Sequence, residues 1–200
     1  VTASDLVLIG NAGDVGRTVL EELHAQGVPV RALVRRDDGR AAGLRALGAE
    51  VVVGDLTRPE TVATALEGVG RMYFAMSVSP DHLLAATVVA AVAREYGRLE
   101  ALVGMSQMTV SQMTAISTAE SHQQRLHWLA EQALNWSGLP VVHIRPTSFL
   151  NNPLFTTLAA ASIRKKGTIA LPFGTGRTSP PRPDCTAKTA TTALLMTSKA

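Results

Sequence analysis

The segment Gly10-Asn11-Ala12-Gly13-Asp14-Val15-Gly16 constrains this chain more than any other. Before it, Leu6 to Ile9 is a short apolar run that reads as a buried strand. After it, Val15, Val19, Leu20 and Leu23 recur at helical spacing as far as Gln26, and Gly27 closes the helix. Glycines spaced G-x-x-G-x-x-G let the turn adopt positive φ and let peptide N–H groups approach an oxyanion. They also let the helix pack closely on the strand. The helix N-terminus adds partial positive charge. A strand–turn–helix unit of this kind reads as the phosphate-binding turn of a dinucleotide site. No G-K-S/T is present, so it does not read as an NTPase phosphate loop.

The rest of the chain repeats that alternation. Strands are expected at Val28–Val34, Val51–Val53, Arg71–Ala75, Leu99–Val103 and Val141–Ile144, with a short one at Ile169–Leu171. Helices are expected over Ala41–Leu47, Pro59–Leu66, Pro80 to Tyr96, Thr118 or Ser121 to Trp136, Leu154–Lys166 and Asp184–Met196. Continuous apolar strands between amphipathic helices predict an α/β fold, a doubly wound parallel sheet covered on both faces.

Composition agrees with one globular unit. The 200 residues are 46% hydrophobic and 18% charged, which excludes a disordered chain. The lone cysteine, Cys185, excludes an intrachain disulfide and a thiolate metal cluster. No metal-ligand spacing occurs. Residues 1–100 carry a net charge of −3 and residues 101–200 a net +6. The second half is either a surface for an anionic ligand or is balanced by an acidic stretch elsewhere. No basic run exceeds Arg164-Lys165-Lys166, so nucleic acid is not the expected partner. The longest apolar stretch, Leu83 to Ala93, is too short to span a bilayer, and no signal-peptide pattern opens the chain. Residue 1 is not Met, which suggests a trimmed start. The expected compartment is cytoplasmic.

The cofactor choice turns on the end of the second strand, Leu33-Val34-Arg35-Arg36-Asp37-Asp38. A carboxylate there accepts from the ribose hydroxyls of NAD. Here Arg35 and Arg36 come first, placed to clamp a 2′-phosphate. This favours NADP(H) over NAD(H). The alternative is a solvated arginine pair neutralised by Asp37 and Asp38. At Gly54-Asp55-Leu56, Asp55 accepts from the adenine amino group while Leu56 packs on the ring, or Asp55 caps the helix from Pro59. Ala75, Met76 and Ser77 end the fourth strand with side chains small enough for the ribose to lie on the backbone.

Gly10 to Gly16, Arg31-Ala32-Leu33-Val34-Arg35 and Gly54-Asp55-Leu56 resemble the NmrA-like group of atypical short-chain dehydrogenases. So do His143-Ile144-Arg145-Pro146-Thr147, Phe149-Leu150-Asn151-Asn152, and Gly167-Thr168-Ile169 through Pro172-Phe173-Gly174. The resemblance covers essentially the whole chain. It implies a Rossmann domain binding NAD(P), expected at residues 1–150, and a smaller C-terminal substrate region. By this resemblance that region is expected at 151–200, in incomplete form. The group includes NADPH-dependent quinone and azo-dye reductases, redox-sensing regulators that bind cofactor without turnover, and isoflavone-type reductases. By this resemblance Pro146 and Thr147 lie near the nicotinamide, and Phe149 and Asn152 border the substrate. The run Ser179-Pro180-Pro181-Arg182-Pro183-Asp184-Cys185 departs from the group, where a more apolar segment leads into Asp-Val-Ala.

Carbonyl reduction leaves an alkoxide, which a Tyr–Lys pair commonly protonates. The only tyrosines are Tyr73 and Tyr96, both before the fifth strand, and Glu stands where Lys would follow Tyr96. Ser106, at the end of the fifth strand, and His122 and His127 on the following helix are the remaining catalytic candidates. Each histidine also reads as a surface or packing residue, and their spacing turns them to different faces. Gln107 and the nearby methionines Met105, Met108 and Met113 read either as a soft pocket wall or as an incidental loop.

These readings give an NADPH-dependent oxidoreductase acting on a quinone-like or azo acceptor without a Tyr–Lys pair. The alternatives are a non-catalytic NADP(H)-binding regulator of a protein partner and, less well supported, a nucleotide-sugar epimerase or dehydratase. The expected partners are a small-molecule acceptor or a protein, with a homo-oligomer compatible and no membrane.

Overall fold

A computed structural model describes residues 5–10, 13–76, 79–149, 151–152, 154–168 and 180–196. Six strands form one parallel sheet: β1 (Val7–Ile9), β2 (Val30–Val34), β3 (Glu50–Val53), β4 (Arg71–Phe74), β5 (Ala101–Met105) and β6 (Val141–Ile144). Their order is β3-β2-β1-β4-β5-β6. The chain therefore runs outward from β1 to one edge, returns, and fills the other half. The direction reverses between β1 and β4, and loops there leave a crevice at the carboxyl ends of the strands.

The helices are α1 (Asp14–Ala25), α2 (Gly39–Ala46), α3 (Pro59–Leu66), α4 (His82–Tyr96), α5 (His122–Trp136), α6 (Ala160–Lys166) and α7 (Pro183–Met196). Strand side chains alternate between two cores, as a period of two requires. Leu8, Leu33, Met72, Phe74 and Leu102 pack under α3, α4 and α5 with Leu66, Val89 and Leu134. Val7, Ile9, Ala32, Tyr73 and Val103 pack under α1, α2 and α7 with Leu20, Leu44, Ala190 and Leu194. This is the doubly wound α/β fold expected from the sequence.

Several helix boundaries follow local chemistry. Ser121 caps α5 by accepting from Gln124 N, and Gln124 Oε1 accepts from Ser121 N, so the second of the two expected starts is used. Gly97 ends α4 and Gly167 ends α6 in the left-handed conformation. The helix expected over Leu154–Lys166 begins as a π-helical turn at Leu154–Ala159 before α6. Helix α7 returns to the sheet and packs along α1, so the tail that departs from the family pattern carries part of the second core. Buried Arg71 on β4 donates to Leu194 O at 3.1 Å, which ties the end of α7 to the sheet. The short strand expected at 169–171 lies outside the described residues.

Candidate active site

The turn after β1 holds the first half of the site. Gly10 N donates to Tyr73 O at 2.8 Å, so the chain leaves β1 pressed against β4. A Cβ on Gly10 would meet Met72 Cε and Tyr73 O, each at 3.2 Å. Gly13 is the N-cap of α1, with φ −67° and no side-chain cap, and Gly16 is buried at the helix–sheet contact. None of these three glycines has positive φ. The sequence expectation of a positive-φ turn is thus corrected: the glycines serve close approach rather than an unusual backbone angle. Asp14 and Val15 open α1, and Asp14 Oδ2 accepts from Asn151 Nδ2 at 3.1 Å. Asn11, Ala12 and Ser77 lie outside the described residues.

Beside this turn is a crevice of about 500 Å³, a size suited to a cofactor. Its walls include Gly10, Arg35, Arg36, Asp55, Leu56, Ala75 and Met76, all expected from the sequence, and also Arg40 and Ser79, which were not. Arg40 belongs to the first turn of α2, whose weak apolar pattern gave no reason to look there.

The acids near the two arginines are engaged elsewhere. Asp37 pairs with Arg45 through two hydrogen bonds, of 2.6 and 3.0 Å. Asp38 caps α2, accepting from Arg40 N and Ala41 N. Their hydrogen bonds hold both carboxyls below the usual range. The alternative in which Asp37 and Asp38 neutralise the arginine pair is therefore not what the structure shows. Arg35 instead donates to Asp55 Oδ2 at 2.9 Å, while Arg36 is exposed and makes no ion pair among the described residues.

Asp55 does not cap α3, whose N-cap is Arg58. It closes its own turn: Oδ1 accepts from Thr57 N at 2.9 Å and Thr57 Oγ1 at 2.8 Å. The Thr57 N–H leads the causes that keep this carboxyl ionised, with Arg35 adding to them. Leu56, nearly buried, lies beside it as an apolar wall.

The remaining candidates sit along the carboxyl ends of β5 and β6. Met108 N donates to Pro146 O at 2.9 Å, which joins the segment after β5 to Pro146 and Thr147. All of Gln107, Pro146, Thr147 and Phe149 are half-buried, whereas Asn152 is exposed. The buried Gln107 Nε2 has no protein partner. His122 is exposed at the start of α5. His127 is buried and its ring lies against that of His82 of α4, centroids 4.0 Å apart and planes tilted by 40°. The two expected histidines do not meet, as their spacing implied. Ser106 is also buried, its hydroxyl beside the Glu131 carboxylate, whose charged form it favours without closing an ordinary hydrogen bond. Glu131 and His82 were missed by the sequence reading. Neither belongs to a local motif, and only the folding of α4 and α5 onto β5 brings them to Ser106.

Tyr73 is buried in the sheet, and burial raises its pKa. The Tyr96 hydroxyl donates to Val69 O at 3.1 Å, at the opposite end of α4 from the crevice. No cluster of three or more metal-ligating side chains exists among the described residues. No helix among them is long and apolar enough to cross a membrane.

A Rossmann sheet with a glycine turn and an arginine-lined crevice at its switch point defines a dinucleotide-binding protein. The NAD(P)H-binding family profile matches residues 10–171, and the chain belongs to that family. An NAD(P)H azoreductase from Xenophilus azovorans is 30% identical over 177 residues, which are 87% of this chain and 57% of that protein. A (4-alkanoyl-5-oxo-2,5-dihydrofuran-3-yl)methyl phosphate reductase from Streptomyces griseus is 30% identical over 171 residues, 84% of this chain and 55% of that protein. The chain thus spans little more than half of these relatives. An NADPH-dependent quinone oxidoreductase from Escherichia coli, solved with NADPH, superposes with a TM-score of 0.79 at 22% identity, covering 95% of this chain and 64% of that one. The triphenylmethane reductase of Citrobacter sp., complexed with NADP(H), gives a TM-score of 0.77 at 21% identity, with 98% and 66% covered. These agree with the NmrA-like resemblance read from the motifs.

Proposed function

We propose that this chain is the cofactor platform of an NADPH-dependent reductase whose acceptor is a quinone-like or azo compound. The observation that carries the reading is the crevice wall of Arg35, Arg36 and Arg40, three cations against two carboxylates, Asp38 and Asp55, with Asp37 turned to Arg45. Arg35 faces Asp55 and Arg40 faces Asp38, at 2.9 and 3.4 Å, so both crevice carboxylates already have a cationic partner, while Arg36 makes no ion pair among the described residues. This arrangement suits a 2′-phosphate better than the ribose hydroxyls of NAD. Gly10 supplies the cradle for the pyrophosphate, which any Cβ there would narrow. Bound there, the reduced nicotinamide would supply a hydride. The protein would position it, with Pro146 and Thr147 on the nicotinamide side and Gln107, Phe149 and Asn152 toward the acceptor. A quinone or azo group delocalises the developing charge and so needs a weaker acid than a simple ketone. That fits a chain whose two tyrosines are both turned away from the crevice.

The second reading is an NADP(H)-binding regulator acting on a protein partner. It draws on the same cofactor site and on the inward-turned Ser106. An epimerase or dehydratase has less support, since its Tyr base has no counterpart at the crevice. A cytoplasmic setting and a homo-oligomer remain part of the proposal. One measurement separates the first two readings: NADPH oxidation at 340 nm with a panel of quinones and azo dyes. Turnover is the expected result. Tight NADPH binding with no turnover on any acceptor would select the regulator.

A further inference from the structure

Ser106, His82 and His127 come from three separate places in the chain and share one small cavity, bounded also by Phe74, Glu131 and His143. All three side chains are more than nine-tenths buried. His82 Nδ1 and His127 Nδ1 have no partner in the protein, and Ser106 Oγ, though beside the Glu131 carboxylate, closes no ordinary hydrogen bond. Buried polar atoms in folded proteins are almost always bonded, and two unpaired ring nitrogens and an incompletely bonded hydroxyl around one void call for a shared partner. The cavity offers about 10 Å³ to the centre of a water-sized sphere, about what a single water needs. A water also needs two to four polar partners, and the site supplies three.

We propose that this cavity binds one internal water, held by His82 Nδ1, His127 Nδ1 and Ser106 Oγ, and that the water and the two imidazoles are the route by which a proton reaches Ser106. The inference extends the reductase reading by naming its missing acid.

The protonation states suit a relay. Burial drives the His82 pKa down to about 4, with His127 a further cause, and burial also lowers His127 against the pull of Glu131. Both rings are therefore neutral near pH 7. A neutral imidazole has one donor and one acceptor nitrogen. One water can then accept from one ring, donate to the other, and exchange a proton with the serine. The Nδ1 atoms are sealed and unpartnered, and in the relay Nε2 is the end of each ring that takes up a proton. The charged groups nearby are Glu131 and Arg145, whose guanidinium is bound to it, and the titratable His143 on β6 is kept neutral by burial.

The proton balance closes without any change in the oxidation state of these residues. After two-electron reduction the acceptor carries an anionic oxygen or nitrogen. The Ser106 hydroxyl, rotated about χ1 toward the crevice, gives its proton to that atom. The resulting alkoxide returns to the cavity and takes a proton from the water. The water takes one from an imidazole Nδ1 as the same ring gains one from solvent at Nε2. One solvent proton enters the product, the serine and the water end as they began, and the ring, left as its Nε2–H tautomer, regains the starting tautomer by proton exchange before the next turnover.

The test begins with the unliganded protein. A crystal structure at high resolution should show one ordered water within hydrogen-bond distance of both Nδ1 atoms. Nitrogen-15 spectra should show two neutral rings of opposite tautomer. A dry cavity, or two rings both protonated at Nδ1, overturns the proposal. With a quinone acceptor, Ser106→Ala and His127→Phe should each lower kcat by roughly a hundredfold. NADPH affinity should stay as in the wild type, and the double variant should be no slower than the slower single one. Wild-type kcat in His127→Phe overturns the relay. Should His127→Phe fail to fold, Ser106→Ala and the solvent isotope effect on wild-type kcat decide it: a clear effect, lost in Ser106→Ala, is expected, and none refutes the route. Should the wild type turn over no acceptor, the reductase reading falls, and the water and tautomers still decide whether the site exists.

Discussion

Glu131 holds Arg145 on both carboxylate oxygens, Nε to Oε1 at 2.9 Å and Nη2 to Oε2 at 2.5 Å. The Glu131 side chain is only 2% exposed, against 37% for that of Arg145. The pair joins α5 to the residue just before Pro146, so it sets where the end of β6 lies. Glu131→Gln keeps the shape and removes the charge. It leaves a guanidinium facing a neutral amide, at a loss of about 2 kcal/mol, less than for a fully buried pair because Arg145 reaches solvent. Replacing both partners by Met should recover at least half of that loss, since no unpaired charge remains. Urea midpoints of the single and double variants are the measurement. A double variant as weak as Glu131→Gln would show that the pair adds more than the avoidance of an orphan charge.

Acid should loosen the protein in a definite window. His82 has its folded pKa lowered from 6.5 to about 4, and burial also lowers His127 and His143. A lowered folded pKa means that the unfolded chain binds the proton first. Stability is complete above pH 6.5 and falls as pH drops toward 4, by on the order of 3 kcal/mol for His82 alone. Below that window the Glu131 and Asp55 carboxylates, lowered in the fold, begin to lose their partners in turn. Urea midpoints at pH 7.5, 6 and 5 should fall steadily. His82→Phe should flatten that slope, and an unchanged slope would refute the assignment.

The fold was legible because its signals are local. Apolar runs, helical spacing and the glycines at 10, 13 and 16 lie within single elements, and among the described residues each element formed close to where they put it. Residues that face the crevice from strand ends, such as Arg35 and Met76, were legible for the same reason. What escaped notice was set by packing. The His82–His127 ring contact and the Glu131–Arg145 pair join residues on different elements, and no spacing along the chain announces them. The commitment of Asp37 to Arg45 also reaches across a loop into α2, so the sequence alone left the arginine pair and its acids undecided.

Cofactor choice should follow the crevice arginines. The Arg35 side chain is 66% exposed and is held at one end by Asp55, so it is free to exchange that contact for a phosphate. Charge-assisted bonds to a 2′-phosphate are worth about 1.5–3 kcal/mol each. Arg35→Ala should therefore raise the NADPH Kd by roughly tenfold to a hundredfold and leave the NADH Kd within about twofold. Arg36→Ala and Arg40→Ala should act in the same direction. Equal weakening of both cofactors, measured by titration calorimetry, would place these arginines outside the 2′-phosphate site.

The glycines separate close approach from propensity. At Gly10 a Cβ would lie 3.2 Å from the Tyr73 carbonyl oxygen, a backbone atom that cannot swing away as the Met72 methyl can. Gly10→Ala must shift the turn off β4, at about 1–2 kcal/mol, and also narrows the approach to the pyrophosphate. Gly43 lies inside α2 with nothing within 4 Å of its Cβ position and no positive φ. Gly43→Ala should instead stabilise the protein by about 0.5–1 kcal/mol through helix propensity. Thermal melts with and without NADPH distinguish the two effects. Gly10→Ala should lower Tm and lose most of the upward shift that NADPH gives the wild type, whereas Gly43→Ala should raise Tm and keep that shift in full. A Gly10→Ala protein with an undiminished NADPH shift would remove the glycine turn from the cofactor site.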